Sequence, residues 1–225
     1  MIADTFFNLE ILVAAWPILW RGLLVTVGLS VVVVPLGFAG GLALALLSTV
    51  RSRWVQALVV AWVDFFRAFP PLVLLILLYA GLPFAGLHLT AFTCVAVGFF
   101  LNTGAYYAEV LRAGLLSVPH GLAEAGRSTG LTALQTLHHV VLPPAVRNVL
   151  PDLLSNTLEV VKLTSLASVV ALPELLFQAR QAQSVTYNAT PIVAAAAIYF
   201  LLLWPFVRLM SRLENRATWR TAGTS

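Results

Sequence analysis

Few residues in this 225-residue chain could do chemistry, and several of those stand where water is expected to be scarce. Glu159 and Lys162 lie three apart in an otherwise apolar run, with Asn156 one turn earlier. At that spacing a carboxylate and an ammonium share a helix face and can pair along it. Ionisable groups inside a membrane are costly and face protein or a water-filled cavity. Two readings therefore stay open. The charges could meet the ammonium and carboxylate of a zwitterionic solute, or they could form a neutralised pair that holds one helix to its neighbours. Arg67, beside Pro70-Pro71, joins Asn156, Glu159 and Lys162 as a candidate pathway residue, whereas Glu109 and Arg112 read as a structural pair.

Catalysis has little to stand on. The four histidines fall outside the apolar runs or at their edges, so no Ser/His or paired-Asp arrangement is available within a helix and no catalytic residue is assigned. Adjacent helical residues point about 100° apart, so His138-His139 does not form a one-face ligand pair, and no metal site is expected. The single cysteine, Cys94, excludes an intramolecular disulfide or a Cys-based cluster and sits in an apolar run that suits packing.

The elements that must position these groups follow from composition. The chain is 60% hydrophobic and 10% charged, with mean hydropathy +0.93. A soluble domain carries roughly a quarter charged residues, so the medium facing most of this protein is lipid. The net charge of +4 does not indicate nucleic acid, because the arginines sit between and after the apolar runs. The N-terminus carries Asp4 and Glu10 rather than a basic region, so the first helix is expected to be retained rather than cleaved.

A span needs about 20 apolar residues. On that measure the sequence predicts an all-α, integral membrane bundle forming one domain, with five spans at about 22–49, 68–84, 90–111, 153–172 and 191–207. A bend is expected near Pro70-Pro71, and Gly81-Leu82-Pro83 is expected to end the second span. Five spans place Arg51, Arg53, Arg112, Arg127, Arg147, Arg208, Arg212, Arg216 and Arg220 on one side, against Arg21 and Arg180 on the other. The positive-inside rule then puts the N-terminus outside and the C-terminus in the cytoplasm. Gly37, Gly40, Gly41 and Ala45 offer a close-approach surface, for packing within the subunit or against another subunit.

The polar stretch 117–147 is not loop-like. Leu122-Ala123-Glu124-Ala125 and Ala133-Leu134-Gln135-Thr136-Leu137 are good helix formers. Between them Gly130 suits a left-handed turn and Thr132 suits an N-cap, while Pro143-Pro144 is expected to stop the second helix. The result is a helix–turn–helix on the cytoplasmic face.

Here a resemblance becomes specific. Glu124-Ala125-Gly126, three residues, Gly130, nine residues and Val140-Val141-Leu142-Pro143 resembles the EAA loop of ABC importer permeases, with Gly126 and Val140 departing from the pattern. Phe66-Arg67-Ala68-Phe69-Pro70, the run Asn102 to Arg112, Val118-Pro119-His120-Gly121 and Lys162-Leu163-Thr164-Ser165-Leu166 are similar to motifs of the polar amino acid uptake branch, although Leu163 replaces an acid. The resemblance covers about 22–212. It implies a type I ABC importer transmembrane domain in a bacterial cytoplasmic (inner) membrane, with Glu124, Ala125, Gly126, Gly130 and Pro143 in a loop that couples to an ATPase. It also implies partners: ATPase subunits, an identical or homologous permease, a soluble binding protein outside, and surrounding lipid. ATP and magnesium would sit on the ATPase, since this chain lacks a Walker-type phosphate loop and no cofactor is expected on it. A self-sufficient secondary transporter is disfavoured because such proteins are usually built from internal repeats, and none is visible.

Overall fold

A computed structural model describes the backbone of residues 2–222 and the side chains of residues 4–212. Among the described residues every regular element is helical. After a short α1 (Ile2–Phe6), α2 runs unbroken from Leu9 to Leu47. Asn8 starts it, its Oδ1 accepting the Ile11 amide at 3.1 Å. The expected span from residue 22 is thus the inner part of a much longer helix. Arg21 read as a boundary, but it is exposed on the helix surface and interrupts nothing.

Helix α3 (Arg53–Ala68) ends at Phe69, whose backbone is extended at φ −80° and ψ 125°. A residue before proline is pushed out of the helical region, so the break belongs to Pro70. The chain restarts as α4 (Pro71–Ile76), then widens into a π turn (Leu77–Gly81) and tightens into a 3-10 turn (Leu82–Ala85). The π turn ends at Gly81 and the helical path itself at Ala85, one residue past the expected end of the second span. Pro83 sits in the first turn of a new helical segment, where its missing N–H costs nothing, and Gly86 at φ +80° closes it.

Next come α5 (Ala91–Leu116), α6 (His120–Ser128), α7 (Ala133–Thr136), a π turn (Leu137–Val141), α8 (Leu142–Asn148) and α9 (Leu150–Leu163). A 3-10 segment (Thr164–Val170), α10 (Leu175–Thr186) and α11 (Thr190–Ala222) complete the chain. The segments Asp4–Leu47, Ala91–Leu116, Leu150–Val170 and Thr190–Arg212 are each long and apolar enough to cross a membrane, and the broken pair Arg53–Ala68 plus Pro71–Ala85 meets the same measure only when its two parts are taken together, which gives four spans or five. The side chains of Arg216 and Arg220 lie outside the described residues.

The chain divides into two compact units: Met1–Val34, Pro71–Phe99 and Leu158–Ser225 form one, Pro35–Pro70 and Phe100–Thr157 the other. In the first, Ala15 and Leu19 of α2 meet Leu175, Ala179 and Ala182 of α10 and Ala195 of α11. The stretch holding Arg180, which lies between the expected spans 153–172 and 191–207, is thus a packed helix. Its apolar face recurs at i, i+4 and i+7 but is made mostly of alanine, too weak a signal against polar neighbours. Cys94 is buried here, 1% exposed. In the second unit, a Cβ on Gly41 would fall 2.8 Å from the Ala108 amide and 2.9 Å from the Gly104 carbonyl. The small-residue stripe of α2 therefore serves contact with α5 inside the chain.

Candidate functional site

The elbow is built from residues 117–148. At the end of α6 the Ser128 hydroxyl donates to the Glu124 carbonyl and the Thr129 hydroxyl to the Gly126 carbonyl, the second of these satisfying an acceptor that the helix end leaves orphaned. Gly130 follows at φ +88°, with nothing within 4 Å of where a Cβ would stand. Thr132 then starts α7 through a reciprocal capping box. Its hydroxyl accepts the Gln135 amide at 3.3 Å, and its own amide donates to Gln135 Oε1 at 2.9 Å. Pro143 and Pro144 do not stop the chain as expected. They occupy the first turn of α8, and the π turn before it absorbs their missing donors, so the helical path continues toward α9.

The base of the elbow is fastened to α5. Asn148 Nδ2 donates to Ser117 Oγ at 2.8 Å. A Cβ on Gly114 would come within 2.7 Å of the Ala145 carbonyl, so α8 and the end of α5 touch backbone to backbone. Glu124, Ala125, Gly130 and Pro143 are exposed, whereas Gly126 is buried. Leu134 stands out at 76% exposure.

The departure at Gly126 has a local cause. A Cβ there would meet Thr136 Cγ2 at 3.0 Å and Val140 Cγ2 at 3.2 Å. Two β-branched residues across the elbow occupy the volume an alanine methyl would need. Gly126→Ala gains about 1 kcal/mol of helix propensity, but must push these methyl groups aside. Combined with Thr136→Ser, which removes one of them, the substitution is expected to be about 1 kcal/mol better than the sum of the singles, read by thermal unfolding. Strict additivity would refute the contact.

A second constellation surrounds a cleft of about 310 Å³, lined by Ser48, Asp64, Arg67, Glu109 and Arg112 among apolar residues of α2, α3 and α5. Arg112 grips Glu109 with two donors, Nε lying 3.0 Å from Oε2. Arg67 approaches the same oxygen at 3.9 Å and lies over the Tyr106 ring at 5.6 Å. The structure thus joins Arg67 to the pair read as structural. On α9, Lys162 and Glu159 pair at 3.2 Å with both side chains more than half exposed. That pair is not buried against another helix. Asn156 is partly buried, and its amide nitrogen has no hydrogen-bond partner among the described residues.

Two features were not recognised from sequence. The first is how Asn102 and Tyr106 serve the proline break. In a continuous helix the carbonyls of Phe66 and Arg67 would accept from residues 70 and 71, both prolines with no N–H. Asn102 Nδ2 donates to Phe66 O at 2.8 Å and Tyr106 Oη to Arg67 O at 3.3 Å, one turn apart on α5. Counting backbone donors across the break would have exposed the need for both. The second is Glu174, fully buried ahead of α10. Its carboxylate accepts the Leu176 and Phe177 amides and the Tyr199 hydroxyl at 2.7–2.9 Å. Burial pushes this carboxyl above its usual range, against the hydrogen bonds that pull it down. An acidic residue directly before Leu175-Leu176 was the available cue to a cap.

Residues 37–219 match the family described as the binding-protein-dependent transport system inner membrane component. The chain is 35% identical over 196 residues to a probable glutamine ABC transporter permease of Bacillus subtilis (strain 168), GlnM, covering 87% of this chain and 91% of that one. It is 32% identical over 209 residues to the glutamine transport system permease GlnP of Escherichia coli (strain K12), covering 90% and 94%. A solved chain from an amino acid ABC transporter with histidines superposes with a TM-score of 0.82 at 34% identity, covering 91% of this chain and 96% of that one. A chain of the MetNI methionine ABC transporter in an inward-facing form shares the fold, with a TM-score of 0.73 at 22% identity over 87% and 94% of the two chains. The chain belongs to the binding-protein-dependent permease family. It is a multi-pass transmembrane subunit of an ABC importer, not itself an ATPase. Hydrolysis belongs to separate subunits, and a binding protein serves the same system.

Proposed function

We propose that this chain passes a polar amino acid across a bacterial cytoplasmic membrane, pairing with an identical or homologous permease. The N-terminus lies outside and the C-terminus in the cytoplasm. ATP and magnesium are held by ATPase subunits that seat the elbow, and their closure is carried into α5 and α9. The observation that carries this reading is the elbow's construction. It is capped at Thr132 and fastened to α5 at Ser117, while Glu124, Ala125, Gly130 and Leu134 face outward. A lever of this kind transmits displacement rather than absorbing it. The names of the glutamine permeases in Bacillus subtilis and Escherichia coli support the solute class.

The exposed Glu159–Lys162 pair supports the solute reading over the structural one, because a pair already neutralised along its own helix holds no neighbour. Arg67 and Asn156 remain pathway candidates. The test is uptake of labelled glutamine, arginine and glutamate into vesicles holding the permease with its ATPase and binding protein. Uptake is expected only with ATP inside, and uptake driven by an ion gradient alone would overturn the reading. Glu159→Gln and Lys162→Met are each expected to raise the half-saturating solute concentration about 10–100-fold, the worth of one charged hydrogen bond. Basal ATP hydrolysis should be unchanged. Lower membrane levels with unaltered saturation would make the pair structural.

A further inference from the structure

Helix α11 leaves the protein core partway along its length. Ile192, Ala194, Ala195, Ile198 and Tyr199 belong to the packed cluster. Beyond them Phe200, Leu201, Trp204, Phe206, Val207 and Leu209 are 43–68% exposed. At 100° per residue these six point all round the helix, so this part is a rod in lipid rather than one face of a bundle. The uncharged stretch 191–207 accounts for about 25 Å of rise, close to the hydrocarbon thickness. The helix then continues to Ala222. Trp204 therefore stands at the edge of the hydrocarbon, with Arg208 and Arg212 at the level of the headgroups.

These three side chains, with Pro205 and Leu209, line one shallow surface cleft. Arg208 lies over the Trp204 ring at 5.2 Å, which fixes a guanidinium that would otherwise sample many positions. Among the described residues neither Arg208 nor Arg212 has a carboxylate partner. Two guanidiniums one helical turn apart on an exposed helix, one of them over an indole, without a carboxylate partner among the described residues, present donors of one sign to an anion such as a phosphate. We infer that Trp204, Arg208 and Arg212 form a binding site for the headgroup of an anionic phospholipid, with its acyl chains along the exposed face of α11. The backbone places Arg216 and Arg220 at further four-residue steps beyond it.

The experiment uses the intact transporter in zwitterionic detergent-lipid micelles, with phosphatidylglycerol or phosphatidylcholine added at equal concentration. Retained lipid is counted by native mass spectrometry and stability is read by thermal unfolding. Phosphatidylglycerol is expected to be retained preferentially and to raise the unfolding midpoint. The double variant R208Q/R212Q is expected to bind it about thirty-fold more weakly, since each basic group at an anionic surface is worth roughly fivefold. R208K/R212K should keep much of the preference, and the charge-matched R51Q/R53Q should keep all of it. Equal retention of the two lipids by the wild type, or an undiminished preference in R208Q/R212Q, would overturn the site. So would unchanged lipid retention combined with loss of the ATPase subunits from R208Q/R212Q, which would make this a protein-docking surface.

Discussion

Gly130→Asp is expected to leave the protein in the membrane while abolishing transport and substrate-stimulated ATP hydrolysis. Two physical effects meet at this residue, and they separate by substitution. At φ +88° an L-residue with a Cβ is strained, by roughly 1–2 kcal/mol for most side chains and less for asparagine. Apart from its two chain neighbours, no atom of the described residues lies within 4 Å of the Cβ position, so nothing described inside the protein opposes a side chain there. If the glycine served only the turn, Gly130→Asn would be nearly silent. If a partner surface closes over it, Gly130→Asn should leave membrane levels at wild type yet cut co-purification of the ATPase at least about tenfold, a loss near 1.4 kcal/mol. Gly130→Asp would add an unpaired charge to the same contact. Normal uptake by Gly130→Asp would remove the elbow from the coupling path.

The second large effect is expected at Asn102. Its side chain, 1% exposed, supplies the donor that Pro70 withholds from the Phe66 carbonyl. Asn102→Leu keeps the approximate volume but leaves that carbonyl buried and unpaired, a cost of about 1–3 kcal/mol. For a chain of this length the unfolding midpoint of the solubilised protein should fall by about 3–10 °C. Tyr106→Phe should cost much less, because Tyr106 is 39% exposed and water can replace its hydroxyl. A rescue is also expected. Pro70→Ala restores an N–H within reach of Phe66 O, so in the Asn102→Leu background it should recover part of the loss, whereas in the wild type it should be neutral or harmful. Equal effects of Pro70→Ala in both backgrounds would show that the two residues do not act on the same carbonyl.

Where local pattern and structure differ, one physical cause recurs. Proline's missing donor makes Pro143-Pro144 and Pro83 read as stops. In both places the preceding turn widens to a π turn and the proline falls into the first turn of the next helix, where no donor is needed. Arg21 reads as a boundary because charge interrupts an apolar run, yet a long helix can carry it on its exposed face. Helix α10 falls between two expected spans and escapes local pattern because its buried face is largely alanine. Each case depends on what lies opposite a segment, which local pattern does not encode.

The residue order alone determined the all-helical membrane class, the five apolar runs, the break at Pro70 and the place of the elbow. These follow from transfer free energy, proline stereochemistry and glycine's tolerance of positive φ, all properties of short windows of chain. Only the tertiary structure decided which groups meet: Arg67 with Glu109, Asn102 with the orphaned Phe66 carbonyl, Glu174 with Tyr199, and Gly126 beneath Thr136 and Val140. Those pairings join residues 10 to 42 positions apart. They are chosen by how helices pack, and no local preference selects among the partners that packing brings within reach.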